Sequence, residues 1–233
     1  MPAPLTSLAV CGLVLLLFAA LRTGAARLGN PAWANPIVLA ALLLGSGVIA
    51  SGMPVKTFEA ASAPLRWMLG PAIVALALLV DRARPLLRGR GRAVLLAVLL
   101  GSAVGMASAL AMAMALGLAP QLRAAVAVKS ISGPFIYAIL RSESGPVALA
   151  AALSVLTGTI GAVCLPPVYR LAGLEAERAA RALGLGVSAH LVGSEYALRR
   201  DPEQGGLAII GLVLAGLMAS LVLPPVWRAL IGG

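Results

Sequence analysis

Charge is the first thing this chain has little of. Asp, Glu, Lys and Arg make up 11% of its 233 residues, against about 25% in soluble domains. A shortfall that deep excludes an ordinary water-soluble globular protein. Cysteine is nearly missing too. Cys11 and Cys164 lie in separate apolar runs, so there is no CxxC pair and no disulfide framework. The single histidine, His190, has no second His or Cys nearby, which leaves no metal-site spacing. No GxSxG, HExxH, Walker or GxGxxG pattern has the context it requires. The chain is therefore read as not an enzyme, and no cofactor is expected. Aromatics reach only 4% and form no interleaved basic face, so nucleic acid is excluded as a partner despite a formal charge of +10. The N-terminus has no basic n-region of the kind a signal peptide carries. Its "LAVC" (8–11) is a poor lipoprotein site, because Val10 fits badly before the cysteine.

What is abundant is long apolar sequence. Hydrophobic residues make up 61% of the chain, in blocks such as "PIVLAALLLGSGVIA" (36–50) and "AVLLAVLLGSAVGMASALAMAMALG" (93–117). A hydrocarbon core about 30 Å thick takes about 20 apolar residues in a helix. Spans are accordingly expected near 5–21, 36–52, 64–80, 93–117, 146–169 and 206–227, the third interrupted by Gly70-Pro71. The regions 119–142 and 175–200 are too polar and too rich in Gly and Ser for ordinary spans, and too apolar for ordinary loops. The expected fold class is an all-α polytopic membrane protein with about six full spans and two broken or re-entrant segments. Residues 1–92 are expected to form scaffold-like N-terminal helices and 93–233 a repeat region. A lipid bilayer is the expected partner.

The repeat is visible directly. "LTGTIGAVCLPPVYR" (156–170) and "LAGLMASLVLPPVWR" (214–228) align at an offset of 58, which also pairs Arg123 with Arg181 and Ser130 with Ser188. With "DRARPLLRGRGR" (81–92) placed inside and both broken segments returning to the side they entered, the cytoplasmic side holds Arg22, Arg27, the five arginines of that loop, Arg170, Arg178, Arg181, Arg199 and Arg200, which is 12 basic residues. Only five remain outside, with Lys129 at depth. If both segments cross fully, the split falls to 10 against 7. The positive-inside rule favours the first arrangement, which makes the two units inverted repeats, as in many secondary transporters.

Irregular backbone at membrane depth is tolerated only where protein or a water-filled cavity satisfies it. "KSISGP" (129–134) and "GVSAHLVGS" (186–194) occupy equivalent places in the two repeats. Paired broken segments point to a substrate site, with helix ends suited to a small organic anion. The candidate binding residues are Lys129, Ser130, Ser132, Gly133, Ser188, His190 and Ser194. Lys129 is either the cation of that site or a side chain snorkelling from a shallow hairpin tip. The serines either donate to a carboxylate or bond to their own bent backbone. His190 is a ligand, a proton carrier or a structural residue. Glu195 either pairs with Lys129 or takes a coupling proton, or it sits at the hairpin exit beside Arg199 and Arg200.

These stretches resemble the LrgB/CidB membrane protein family, which includes the plastidic glycolate/glycerate translocator. "NPIVLA" (35–40), "LGPAIVALAL" (69–78) and "LTGTIGAV" (156–163) match in the family's order, "KSISGP" matches its K-S-[VI]-T-T-P, and "LGLGVSAHLVGS" matches its A-L-G-T-[AS]-x-H-x-[IL]-G-T. The chain departs from the family at Ala138, where a Glu is usual, and at Glu195-Tyr196, where Ala-Arg is usual. The resemblance implies one of two functions. The first is proton-coupled, elevator-like transport of small monocarboxylates of the glycolate, glycerate, lactate or pyruvate type. The second is holin/antiholin-like regulation of murein hydrolase export and lysis. It leaves a homodimer and an LrgA-like membrane partner as expected assemblies.

Overall fold

The computed structural model describes residues 4–31, 34–142 and 145–230. Helices account for nearly all of this, and no strand occurs among the described residues. The chain divides into two compact units, Met1–Val74 and Ala75–Gly233.

The first unit opens with α1 (Pro4–Arg27), followed by α2 (Pro36–Ala50). Asn35 caps α2, accepting from the Ile37 N–H at 2.9 Å, and Pro36 occupies the first helical position, where its missing N–H costs nothing. The expected span 36–52 is shorter than the sequence suggests. Ser51 ends the helix, and Gly52 takes a φ of +66° before Met53-Pro54. Fifteen residues make about 22 Å of helix, short of the hydrocarbon core. The short helices α3 (Val55–Ala61) and α4 (Ala63–Trp67) follow, and the Cys11 thiol of α1 reaches the Ala61 carbonyl at 3.6 Å.

α5 (Leu69–Ala83) leads from the first unit into the second. Pro71 lies in its first turn, where it breaks no helical hydrogen bond. The expected span 36–52 is represented by the shorter apolar helix α2. Among the described residues, five helical stretches are long and apolar enough to cross a membrane: Pro4–Arg27, Ala63–Leu87, Gly91–Ala115, Val147–Leu171 and Gly206–Trp227. Many of their leucines and valines are exposed, among them Leu95, Leu100, Leu156 and Leu221. In a chain of this composition that apolar surface faces lipid.

The second unit continues with α6 (Gly91–Ala115), α7 (Pro120–Ala127), α8 (Gly133–Ser142), α9 (Val147–Leu171), α10 (Arg178–Arg200) and α11 (Gly206–Leu230). α6 and α9 each end on a glycine with left-handed backbone, Gly117 (φ +65°) and Gly173 (φ +69°). In both turns the N–H of the following residue returns to a carbonyl five back, Leu118 to Ala113 and Leu174 to Tyr169, a Schellman closure. Each such turn feeds one broken segment. The first segment is α7, a turn through Val128–Ser132, and α8. Gly133-Pro134 restarts the helix, since proline fits a first turn.

α10 is continuous except at His190, whose φ of 37° and ψ of −125° are not helical. A straight helix of its 23 residues would be about 34 Å long. Instead, Arg178 at its start pairs with Asp201 just past its end at 2.6 Å. The backbone doubles back at His190, so this segment is a helical hairpin. Twelve residues to the bend give an arm about 18 Å long, roughly half the depth of a hydrocarbon core. In the first segment, Ala124 and Ala127 of α7 wall one small cavity together with Ile139 and Leu140 of α8.

The helix boundaries repeat to within one residue of the offset the sequence shows. The broken segments start at 120 and 178 and end at 142 and 200, and the helices after them run 147–171 and 206–230. Pro166-Pro167 and Pro224-Pro225 fall inside α9 and α11 at matching places. The side chain of Arg228, which ends the second repeat copy, lies outside the described residues. α11 is the core helix, with Leu207, Ala208, Ile210 and Leu212 almost fully buried.

Candidate functional site at the paired turns

Glycines seat the hairpins on their neighbours. A Cβ on Gly158 of α9 would lie 2.7 Å from His190 Cε1, and one on Gly161 would lie 2.7 Å from Ala189 Cβ. Gly216 of α11, the repeat counterpart of Gly158, is covered by the Phe135 ring of α8. Ala189 and His190 of the second hairpin thus rest on α9, and Phe135 of the first segment rests on α11. Small residues permit such close approach between helices in lipid.

A cavity of about 340 Å³ opens between the two turns. Lys129, Ser130 and Ile131 of the first turn line it, with Val187 and Ser188 of the second, Thr157, Gly161 and Cys164 of α9, Ser102 and Gly105 of α6, and Ala215 of α11. Three pairs in this lining are related by the 58-residue offset: Lys129 with Val187, Ser130 with Ser188, and Thr157 with Ala215. The cavity lies where the two repeats meet, and it holds a polar residue of one copy opposite its counterpart in the other.

Lys129 is the only charged side chain in that lining. It is half-buried, donates from Nζ to Ser130 Oγ at 3.1 Å, and has no carboxylate within 4 Å among the described residues. The Ser188 hydroxyl donates to the Gly184 carbonyl of its own helix, leaving its lone pairs toward the cavity. Ser102 Oγ is buried with no hydrogen-bond partner. A lone ammonium, several hydroxyls and apolar walls of Ile131, Ile160 and Leu165 can hold a small anion with a short carbon body. They offer nothing that a cation would prefer.

The other sequence-nominated residues lie elsewhere. Gly133 is exposed and does not line the cavity; the turn before it does. Ser132 is buried with its hydroxyl unpartnered. Ser194 is fully buried and donates to the Ala208 carbonyl at 3.1 Å, fastening the second hairpin to α11. Glu195 pairs with Arg199 at 2.6 Å, one helical turn away.

His190 is buried and occupied on both ring nitrogens. Nδ1 lies 2.8 Å from the Leu191 N–H, so it accepts. That places the ring proton on Nε2, which lies 2.7 Å from the Ser154 carbonyl and 3.1 Å from its hydroxyl. The tautomer follows from these partners. The Ser154 hydroxyl in turn donates to the Ile131 carbonyl at 2.8 Å. One serine of α9 therefore latches both broken turns. A positive φ at a non-glycine residue is costly, and this network holds it in place.

Sequence reasoning missed Ser102, Ser154, Thr157 and Cys164. All sit inside apolar helices, where a single small polar residue reads as unremarkable. Thr157 had one available signal, since its repeat counterpart is the apolar Ala215.

Long apolar helices together with two helical hairpins meeting at a repeat interface define a polytopic helical membrane protein. The chain belongs to the LrgB-like family, whose profile matches residues 14–229. Among its relatives, an uncharacterized protein of Haemophilus influenzae is 30% identical over 195 residues, covering 83% of this chain and 84% of that one. The uncharacterized protein YwbG of Bacillus subtilis is 28% identical, covering 84% of each. The holin-like protein CidB of Staphylococcus epidermidis is 20% identical over 190 residues, covering 82% of each. No solved structure gives a significant match.

Proposed function

We propose that this protein is a secondary transporter of small monocarboxylates of the glycolate, glycerate, lactate or pyruvate type, working in a bacterial inner membrane. The observation that carries the reading is the cavity of about 340 Å³ in which Lys129, without a carboxylate partner, faces Ser130 and Ser188 from two repeat-related turns. Ligand pockets of about 300–1,000 Å³ suit small molecules, and broken segments at a repeat interface are where transporters bind them. The carboxylate takes the Lys129 ammonium, and the hydroxyls of Ser130, Ser188 and Thr157 take the 2-hydroxy or 2-oxo group. The hairpin-bearing unit carries the anion in an elevator-like movement.

Proton coupling is the second element of the proposal. A second proton on His190 would occupy Nδ1, which then could no longer accept from Leu191. Because the ring is tied through Ser154 to Ile131, loosening the second turn would be felt at the first. Glu195 is held by Arg199 and is the weaker candidate.

Cys164 lines the cavity and Cys11 is the only other cysteine, so Cys11→Ser gives a single built-in reporter. Glycolate, lactate or pyruvate should slow maleimide labelling of Cys164 saturably, and Lys129→Ala should weaken the protection. Proteoliposomes should take up the protecting acid, and equal uptake by Lys129→Ala would refute the assignment. The CidB relatives, named holin-like, favour a second reading in which the protein regulates lysis with an LrgA-like partner. Dye leakage from vesicles without saturable uptake would support that reading over transport.

A further inference from the structure

A second cavity lies at the open end of the second hairpin, away from the paired turns. Its volume is about 500 Å³, and it is walled by both arms of α10 and the end of α9. Four arginines line it, Arg170, Arg178, Arg181 and Arg200, against two acidic residues, Glu175 and Asp201. The carboxylates are already engaged. Arg178 is held bidentately by Asp201 at 2.6 Å and also by Glu203 at 3.0 Å, and Arg170 by Glu175 at 3.1 Å.

Arg181 and Arg200 are different. Arg181 gives one Nη to the Glu175 backbone carbonyl at 2.7 Å, which fixes its side chain without neutralising it. Arg200 lies over the Tyr196 ring, 5.9 Å from its centre, an attraction that again leaves the charge uncompensated. The two come from opposite arms of the hairpin, and the Arg178–Asp201 clamp draws those arms together. Two oriented, uncompensated forks in one cavity match the oxygens of a phosphate group better than a single point charge would. The floor between them is apolar, with Ala182, Leu185 and Ala197 buried.

We infer that this cavity is an anion site for a phosphate group, separate from the Lys129 cavity, with Arg181 and Arg200 as its ligands and the Arg178–Asp201 clamp as its frame. Two sources present that chemistry, an anionic phospholipid headgroup and free phosphate. Basic pockets between membrane helices on the cytoplasmic side do take anionic headgroups. An occupied site ties both hairpin arms to one ligand, so its filling stabilises the hairpin.

The test uses the full chain in neutral detergent. Thermal unfolding is followed while phosphatidylglycerol, phosphatidylcholine or inorganic phosphate is titrated. Phosphatidylglycerol should raise the unfolding temperature saturably and phosphatidylcholine should not. An equal response to inorganic phosphate identifies free phosphate as sufficient, whereas a response to the lipid alone identifies the headgroup. Arg181→Gln and Arg200→Gln should each weaken binding about tenfold, the loss of one charge-assisted fork. Arg22→Gln, on the first unit, should change nothing. Arg200→Lys keeps the charge and loses the fork, so it should fall between wild type and the glutamine variant, and it serves if a glutamine variant does not fold. No saturable shift with any of the three, or a shift unchanged in Arg181→Gln and Arg200→Gln, overturns the inference.

Discussion

Replacing Glu177 and Glu203 by cysteine, in a chain whose Cys11 and Cys164 have been changed to serine, tests the hairpin of α10. Both residues are exposed and lie just outside the helix. Were the 23 residues of α10 a straight rod, its ends would stand about 34 Å apart, which exceeds a hydrocarbon core. The two cysteines would then open on opposite faces of the membrane. In the hairpin, Arg178 touches both Asp201 and Glu203, so residues 177 and 203 are neighbours. A membrane-impermeant maleimide should therefore label both positions from the same side of sealed vesicles. A short bismaleimide should link them within one chain, a product visible as a mobility shift after cleavage in the 178–200 interval. Labelling from opposite sides, or no link under conditions where each single cysteine reacts fully, would refute the re-entrant geometry and with it the count of 12 basic residues on one face.

Further outcomes follow from the same packing. Gly158→Ala places a methyl 2.7 Å from the His190 ring and should destabilise by about 1–3 kcal/mol, whereas Gly105→Ala, with nothing within 4 Å, should be nearly neutral; thermal unfolding in detergent compares them. His190→Gly removes the ring latch but relieves the positive φ, so it should melt above His190→Ala, which keeps the strain and loses the bonds. The Arg178 guanidinium holds the Asp201 carboxyl below its ordinary value. Its contribution is present above the unfolded pKa of about 3.9 and is lost as pH falls through the lower folded value. Wild type should therefore lose stability faster than Asp201→Asn between pH 5 and 3 in a melting series. Lys129→Ala should weaken carboxylate protection of Cys164 by about 10–150-fold, the range for a hydrogen bond to a charged group.

Much of the architecture was legible because the bilayer imposes it. Uninterrupted apolar blocks give α6, α9 and α11 to within about three residues and α1 with its end six residues short, since every backbone group in lipid must bond within its own helix. The exception is α2, whose block continues to 52 in the sequence but stops at Ala50. There Gly52 and Pro54 outweighed the hydropathy of the run. The broken segments were legible from their composition, and the 58-residue offset paired residues within them. What the sequence could not reveal was which neighbour each turn rests on. His190 meets Ser154 across 36 positions of chain, and no local pattern announces that contact. The Glu195–Arg199 pair is different, since it lies within one helix at a spacing of four residues, and the sequence already offers Glu195 beside Arg199 as one of its alternatives.

The offset that pairs Ser130 with Ser188 pairs Lys129 with Val187. The two turns contribute to one cavity and are unlike in charge. A molecule assembled from two copies of the first half would bring two ammonium groups to the meeting point, and one assembled from two copies of the second would bring none. Neither half can stand in for the other. Whatever ancestral symmetry the helices keep, the single positive charge makes the chain a heterodimer in one polypeptide, and its two turns have stopped being interchangeable.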